Sequence, residues 1–248
     1  MRAAIFAGPS LPPGARPVPA IDIDWRPPVR QGELYRAALD RPAAIGVVDG
    51  YFEVTPTVWH KEILWAMAQG IHVFGAASTG ALRAAELDRF GMRGIGGVYR
   101  DFRDGVLQDD DEVAVLHGPA ELGYPAVTEA MVNIRATLAA ALRDGAVDAA
   151  LAAALTAIAK ALFYKERTYP PIIAAARASG LDAAGLARFE AWLPSGRTDR
   201  KRLDALEMVD ALAALVAAGT PPLTVDFQLA ETAAWQAARR APPTVATD

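Results

Sequence analysis

Short runs of apolar residues, each ended by small or turn-forming residues and followed by a helical pattern, organise the first third of the chain. Arg2 to Ala7 reads as a buried strand closed by Gly8-Pro9-Ser10. A proline-rich stretch over residues 12–28 holds one extended piece, Ile21 to Trp25, with the character of an edge strand. Gln31 to Leu39 predicts a short helix, and Ala43 to Val48 a second strong strand closed by Asp49-Gly50-Tyr51. Thr55 as a cap with Pro56 at the first helical position predicts a helix to about Gln69, stopped by Gly70. Ile71 to Ala76 is the next strand and Gly80 to Phe90 the next helix.

Beyond that point the pattern changes. Residues 91–105 carry five glycines, too many for a regular helix throughout, and predict a loop. Val113 to Leu116 reads as a short strand. From Val127 onward the periodicity is helical, with helices expected over 127–144, 147–164, 170–178, 182–193 and 199–217. The expected fold class is α/β: a parallel sheet with flanking helices in the N-terminal half, then an all-helical C-terminal lobe. The expected boundaries are 1–122 for the α/β half, 123–240 for the helical lobe and 241–248 for a disordered tail.

A parallel sheet puts ligand sites at the carboxyl ends of its strands. Ser10, Asp49 and Ser78 each follow the last apolar residue of a strand, so they are expected along one edge. Lys61 falls in the first turns of the helix above that edge.

Composition narrows the chemistry. With 248 residues, 52% hydrophobic and 22% charged, the chain has the profile of a globular protein. It has no run long enough for a membrane span and no signal-peptide core, which leads to the expectation of a cytoplasmic protein without membrane contacts. The absence of cysteine excludes disulfides, thiolate metal sites and a cysteine nucleophile. Three scattered histidines predict no metal centre, and a net charge of -4 argues against nucleic acid as a partner. Only four of the 25 basic residues are lysines: Lys61, Lys160, Lys165 and Lys201. In an arginine-rich chain, a lysine draws notice because its amine can lose a proton and a guanidinium cannot.

Ser78 sits between a strand and a helix, where the first helical N–H groups, those of Thr79 and Gly80, form an expected oxyanion hole. The strict G-x-S-x-G spacing is absent, and a plain turn is the alternative. A serine nucleophile needs a base. His72 lies six residues earlier in the same strand, about 20 Å away at the usual rise, and is excluded. Lys61 shares a helix face with Val58, Trp65 and Ala68, so it is the expected base, or else a lysine whose stem covers Trp65. Asp49, Glu53, His60, Arg83 and Glu86 are supporting or substrate-binding candidates; an Asp-Gly turn cap and a helix-surface pair are the alternatives for Asp49 and for Arg83 with Glu86. Ser10 is a rival nucleophile. The acidic run Asp109 to Glu112 is either a metal-binding loop or a solvated charge cluster.

These residues also carry a family likeness. The runs Phe6-Ala-Gly-Pro-Ser10, Trp25 to Arg30, Ile45 to Glu53, Trp59 to Ile63, Val73 to Ser78, Gly80 to Glu86, Asp109 to Ala114 and Met131 to Thr137 together resemble the TfuA family, over roughly residues 3–170. Thr79 stands where a bulkier residue such as methionine is expected. The resemblance implies a partner of YcaO enzymes, which activate a peptide backbone amide with ATP so that sulfur replaces its oxygen. It implies hydrolysis of the C-terminal thiocarboxylate of a ThiS-like sulfur carrier protein, delivering hydrosulfide, with no cofactor and a Ser-Lys pair, here Ser78 with Lys61 or, as second choice, Lys165. The alternative is a non-catalytic adapter that recruits substrate peptide and carrier to the YcaO-type protein. A phosphate site at the helix after Ser78 is a third possibility, without a Walker or dinucleotide pattern to support it.

Overall fold

A computed structural model describes residues 2–53 and 55–240. Five strands form one parallel sheet: β1 (Arg2–Phe6), β2 (Asp22–Arg26), β3 (Ala44–Val47), β4 (His72–Gly75) and β5 (Arg93–Gly94), in the order β2-β1-β3-β4-β5. Between them run α1 (Glu33–Leu39), α2 (His60–Ala68) and α3 (Thr79–Leu87), with α4 (Gly96–Arg103) after β5. Every residue of β3 and β4 is buried, which is why these strands read as unbroken apolar runs rather than alternating ones.

One face of the sheet is covered from far along the chain. Ala3 and Ile5 of β1, Ala44 of β3 and Phe74 of β4 form one core with Ala205, Met208, Val209, Leu212 and Val216 of α9 (Arg200–Ala217). α9 therefore belongs with the sheet. The chain divides into two compact units, Met1–Gln108 with Arg202–Asp248, and Asp109–Lys201. The stretch expected as a single helical lobe, 123–240, is thus shared between them. The expected tail, 241–248, lies outside the described residues.

The second unit is built from α5 (Met131–Arg143), α6 (Ala149–Ala161), α7 (Tyr169–Ala178) and α8 (Ala183–Gly196). Its core joins Met131, Ile134 and Leu138 to Leu151, Leu155, Ile172, Leu186 and Phe189. The strand expected over Val113 to Leu116 is not formed; a single antiparallel bridge, His117 to Ala126, lies just after it. The acidic run forms a short 3-10 turn, Asp110–Glu112, whose charges meet bases of the same unit. Lys160 pairs with Asp109 (3.0 Å), Asp111 and Glu112 (3.2 Å). Arg135 binds Glu112 through two nitrogens, and Arg167 binds Asp111 at 2.7 Å. Among the described residues no cluster of three His, Asp or Glu is arranged to hold a metal ion, and no helix is long and apolar enough to cross a membrane.

Two local differences from the sequence reading have physical causes. α2 starts at His60 rather than near Pro56, because its N-terminus is capped by Glu62, whose Oε1 accepts from Trp59 N–H at 3.0 Å. The same carboxylate accepts from Gly32 (2.9 Å) and Tyr35 (3.2 Å), so one buried group serves the starts of α1 and α2. Burial pushes the Glu62 carboxyl up, against the pull of these three N–H groups and of Arg36. In the glycine-rich stretch, β5 and α4 form where a loop was expected. Asp204 accepts from Val98 N–H at 2.7 Å and caps α4 from a distance of 106 residues.

Candidate active site

The sheet order reverses between β1 and β3, which makes their carboxyl ends a switch point where ligands of such sheets commonly bind. Asp49 fills that place. Its Oδ2 accepts from the N–H groups of Gly8 (2.9 Å) and Ser10 (3.0 Å), and its Oδ1 accepts from the Ser10 hydroxyl at 2.6 Å. Both residues are buried. Asp49 is therefore a clamp between the loops after β1 and β3, which corrects its expected role as a substrate-binding carboxylate. Ser10 is engaged by the same clamp.

One strand over, the chain makes a sharper turn. Ala77 has a φ of 65°, and Ser78 N–H donates to Ala76 O at 2.7 Å, which closes a three-residue γ-turn of the rare positive-φ kind. For alanine this conformation is strained and persists only where its surroundings enforce it. They do so here. α3 is pressed onto the end of β3 so closely that a Cβ on Gly80 would lie 1.8 Å from Val47 O. A Cβ on Gly50 would lie 2.8 Å from the Thr79 hydroxyl. Ser78 occupies the N-cap position of α3 with φ -130° and ψ -125°, and is 7% exposed.

This close packing uses one of the donors expected for the oxyanion hole. Gly80 N–H donates to Val48 O at 3.2 Å, while Ala81 and Leu82 donate to Ser78 O. Gly80 is thereby removed from that role, and Thr79 N–H remains as the donor at the helix start.

Lys61 stands in the first turn of α2, as expected, but its amine meets the C-terminal part of the chain. Nζ donates to Ala230 O and, at 3.4 Å, to Thr232 Oγ1. The structure does not bring it together with Ser78. No local pattern in the sequence could signal a contact across 169 residues. The three other members of the expected set that do meet are His60, Arg83 and Glu86. Glu86 Oε2 lies 2.7 Å from His60 Nε2 and 2.7 Å from Arg83 Nη1. Arg83 also donates through Nε to Val58 O at 3.2 Å, which ties α3 to the segment before α2. His60 and Glu86 are about half exposed. Glu53 is exposed and has a φ of 59°.

The remaining lysines separate clearly. Lys160 is held by three carboxylates, and its pKa is raised: burial alone would lower it, and the hydrogen bonds that its ammonium donates to Asp111, Asp109 and Glu112 outweigh that. Lys201 is buried, with Nζ donating to Val113 O at 2.7 Å. Lys165 lies over the rings of Phe163 and Tyr164, at 5.6 and 5.4 Å.

Comparison with known proteins bears on this stretch in particular. No curated protein matches the chain. Residues 49–168 match the family model described as TfuA-like protein. The match opens at Asp49 and so leaves out β1, β2 and Ser10, whereas the likeness read from the sequence runs from about residue 3. It includes Lys61, the γ-turn, Ser78 and Lys165. Through residues 49–168 the chain is similar to the TfuA-like protein family.

Proposed function

We propose that the protein hydrolyses the C-terminal thiocarboxylate of a small sulfur carrier protein and releases hydrosulfide for a YcaO-type enzyme that thioamidates a peptide backbone. The similarity of residues 49–168 to the TfuA-like family is consistent with a part in thioamidation. The observation that carries the finer reading is the strained γ-turn at Ala77, which holds Ser78 at the carboxyl end of β4 and the start of α3. Strain of this kind collects at reactive sites, and the helix start favours developing negative charge.

In this reading Ser78 Oγ attacks the thiocarboxylate carbon while Lys61, as a neutral amine, takes the hydroxyl proton. The C–S bond breaks, the proton passes to sulfur, and hydrosulfide leaves. Thr79 N–H stabilises the tetrahedral oxyanion. Water then cleaves the Ser78 ester, returning the hydroxyl and freeing the carrier as a carboxylate. Lys61 must exchange its contacts with Ala230 and Thr232 for the Ser78 hydroxyl. With Lys160 and Lys201 held in structural contacts, Lys165 is the other lysine to test.

The engagement of Lys61 away from Ser78 favours a second reading, a non-catalytic adapter for carrier and peptide. The two separate on one assay: hydrosulfide release from a thiocarboxylated carrier by wild type, Ser78→Ala, Lys61→Ala and Lys165→Ala. The hydrolase reading expects Ser78→Ala and Lys61→Ala to abolish release. The adapter expects no release from wild type and undiminished thioamidation by the variants when free sulfide is supplied.

A further inference from the structure

The chain after α9 crosses the α2 and α3 side of its own unit. Residues 220–232 form no regular element, and α10 (Ala233–Arg240) follows. Leu223 N–H donates to Gly70 O at 2.9 Å, and Pro221 O lies 2.9 Å from His72 Nε2, both below the amino end of β4. Phe227 sets its ring edge-on to Phe90 at 5.8 Å. Ala230 and Thr232 then hold Lys61. Trp235 ends the crossing, 1% exposed and 5.5 Å from the ring of Tyr35, which in turn meets Trp65 at 4.7 Å.

Two features mark this crossing as separable from the unit it lies on. Between its anchors no residue is fully buried: Leu223, Val225, Phe227 and Leu229 are half-buried and the residues alternating with them are exposed, a thin attachment for a stretch of this length. Its main anchor is also imperfect: the Trp235 indole N–H is buried without a hydrogen-bond partner among the described residues. An unmet donor of that kind offsets part of what burying the ring contributes.

We propose that residues 220–240 form a strap that ties down the partly exposed amine of Lys61 through hydrogen bonds, and that release of Trp235 from the Tyr35–Trp65 seat is the step that frees the amine for Ser78. The second half of the proposal rests on the hydrolase reading above. A general base must present a lone pair to the hydroxyl it activates, whereas under the strap the Lys61 amine serves as a donor to two oxygens. The strap therefore holds the site in a resting state until it lifts.

The chain has only four lysines, which makes the strap directly measurable. Full-length wild type, Trp235→Ala and Phe227→Ala are pulsed with an amine-acylating reagent, and modification of each lysine is quantified by mass spectrometry. Phe227→Ala loosens the strap while keeping every tryptophan, and thermal melts confirm that both variants are folded. The strap predicts that Lys61 is acylated faster, by about tenfold, because losing a buried aromatic anchor shifts a local opening equilibrium. Lys201, buried against Val113, stays at its wild-type rate. Unchanged Lys61 acylation in both folded variants overturns the strap, whatever the hydrosulfide assay gives. Faster acylation together with faster hydrosulfide release supports both halves. Faster acylation with no release from any form leaves the strap standing and overturns the hydrolase reading instead.

Discussion

The Ser10 hydroxyl donates to Asp49 Oδ1 at 2.6 Å, and the other carboxylate oxygen takes the N–H groups of Gly8 and Ser10. This single buried carboxylate fixes the relative position of the loops after β1 and β3. Asp49→Ala leaves three buried donors without an acceptor and is expected to destabilise the protein by about 3 kcal/mol, measured by urea unfolding. Ser10→Ala removes one of those bonds and leaves Asp49 two N–H partners, so its expected cost is about 1 kcal/mol. If Ser10 were the nucleophile, Ser10→Ala would abolish hydrosulfide release; here it retains it.

Gly80 holds the γ-turn in place from the other side. A Cβ at 1.8 Å from Val47 O cannot be accommodated by a side-chain shift, since the obstacle is backbone of β3. Gly80→Ala is expected to cost on the order of 3 kcal/mol or more and to yield little soluble protein. Gly50→Ala meets the Thr79 side chain instead and is expected to be milder, at about 1 to 2 kcal/mol. Comparing the two melting curves checks the ordering.

In the second unit, Arg167 is fully buried and rests on Asp111 Oδ2, Ala159 O and Leu162 O. Asp111→Ala removes the carboxylate paired with that buried guanidinium, leaving it the carbonyls of residue 111, Ala159 and Leu162, and is expected to cost about 3 kcal/mol. Asp111 titrates below its ordinary value of 3.8: burial opposes this, and the hydrogen bonds from Lys160 and Arg167 prevail. A depressed carboxyl supports stability above its unfolded value and loses that support as pH falls through the folded one. The contribution from Asp111 is therefore complete above pH 3.8 and fades below it. The acid side of the stability profile should flatten in Asp111→Asn, as followed by circular dichroism from pH 5 downward, with about pH 5 as the plateau.

The His60–Glu86 pair makes a contrast. Both side chains are about half exposed, so His60→Ala is expected to change stability by no more than about 1 kcal/mol. Hydrosulfide release by His60→Ala stays near the wild-type rate, because neither residue contacts the γ-turn donors.

What the sequence made legible follows from where the determining contacts lie. β1, β3, β4 and α3 announce themselves because both faces of those strands are buried and each ends in local turn residues. For that reason the sequence alone locates Asp49 and Ser78 just past the carboxyl ends of β3 and β4. The start of α2 was misplaced because Thr55 and Pro56 carry the usual signal, while the cap in use is Glu62, which also serves Gly32 and Tyr35. α4 was hidden because its cap, Asp204, comes from another part of the chain. The strap over Lys61 had no local signature at all: the acceptor is a backbone carbonyl, which any residue supplies.

The account stands most directly on one measurement: hydrosulfide released from a thiocarboxylated carrier protein by wild type and by Ser78→Ala, with folding of the variant verified by its thermal melt. Loss of the nucleophile is expected to lower the rate by roughly a thousandfold or more while leaving the melt within a few degrees of wild type. Undiminished release by folded Ser78→Ala would contradict the account.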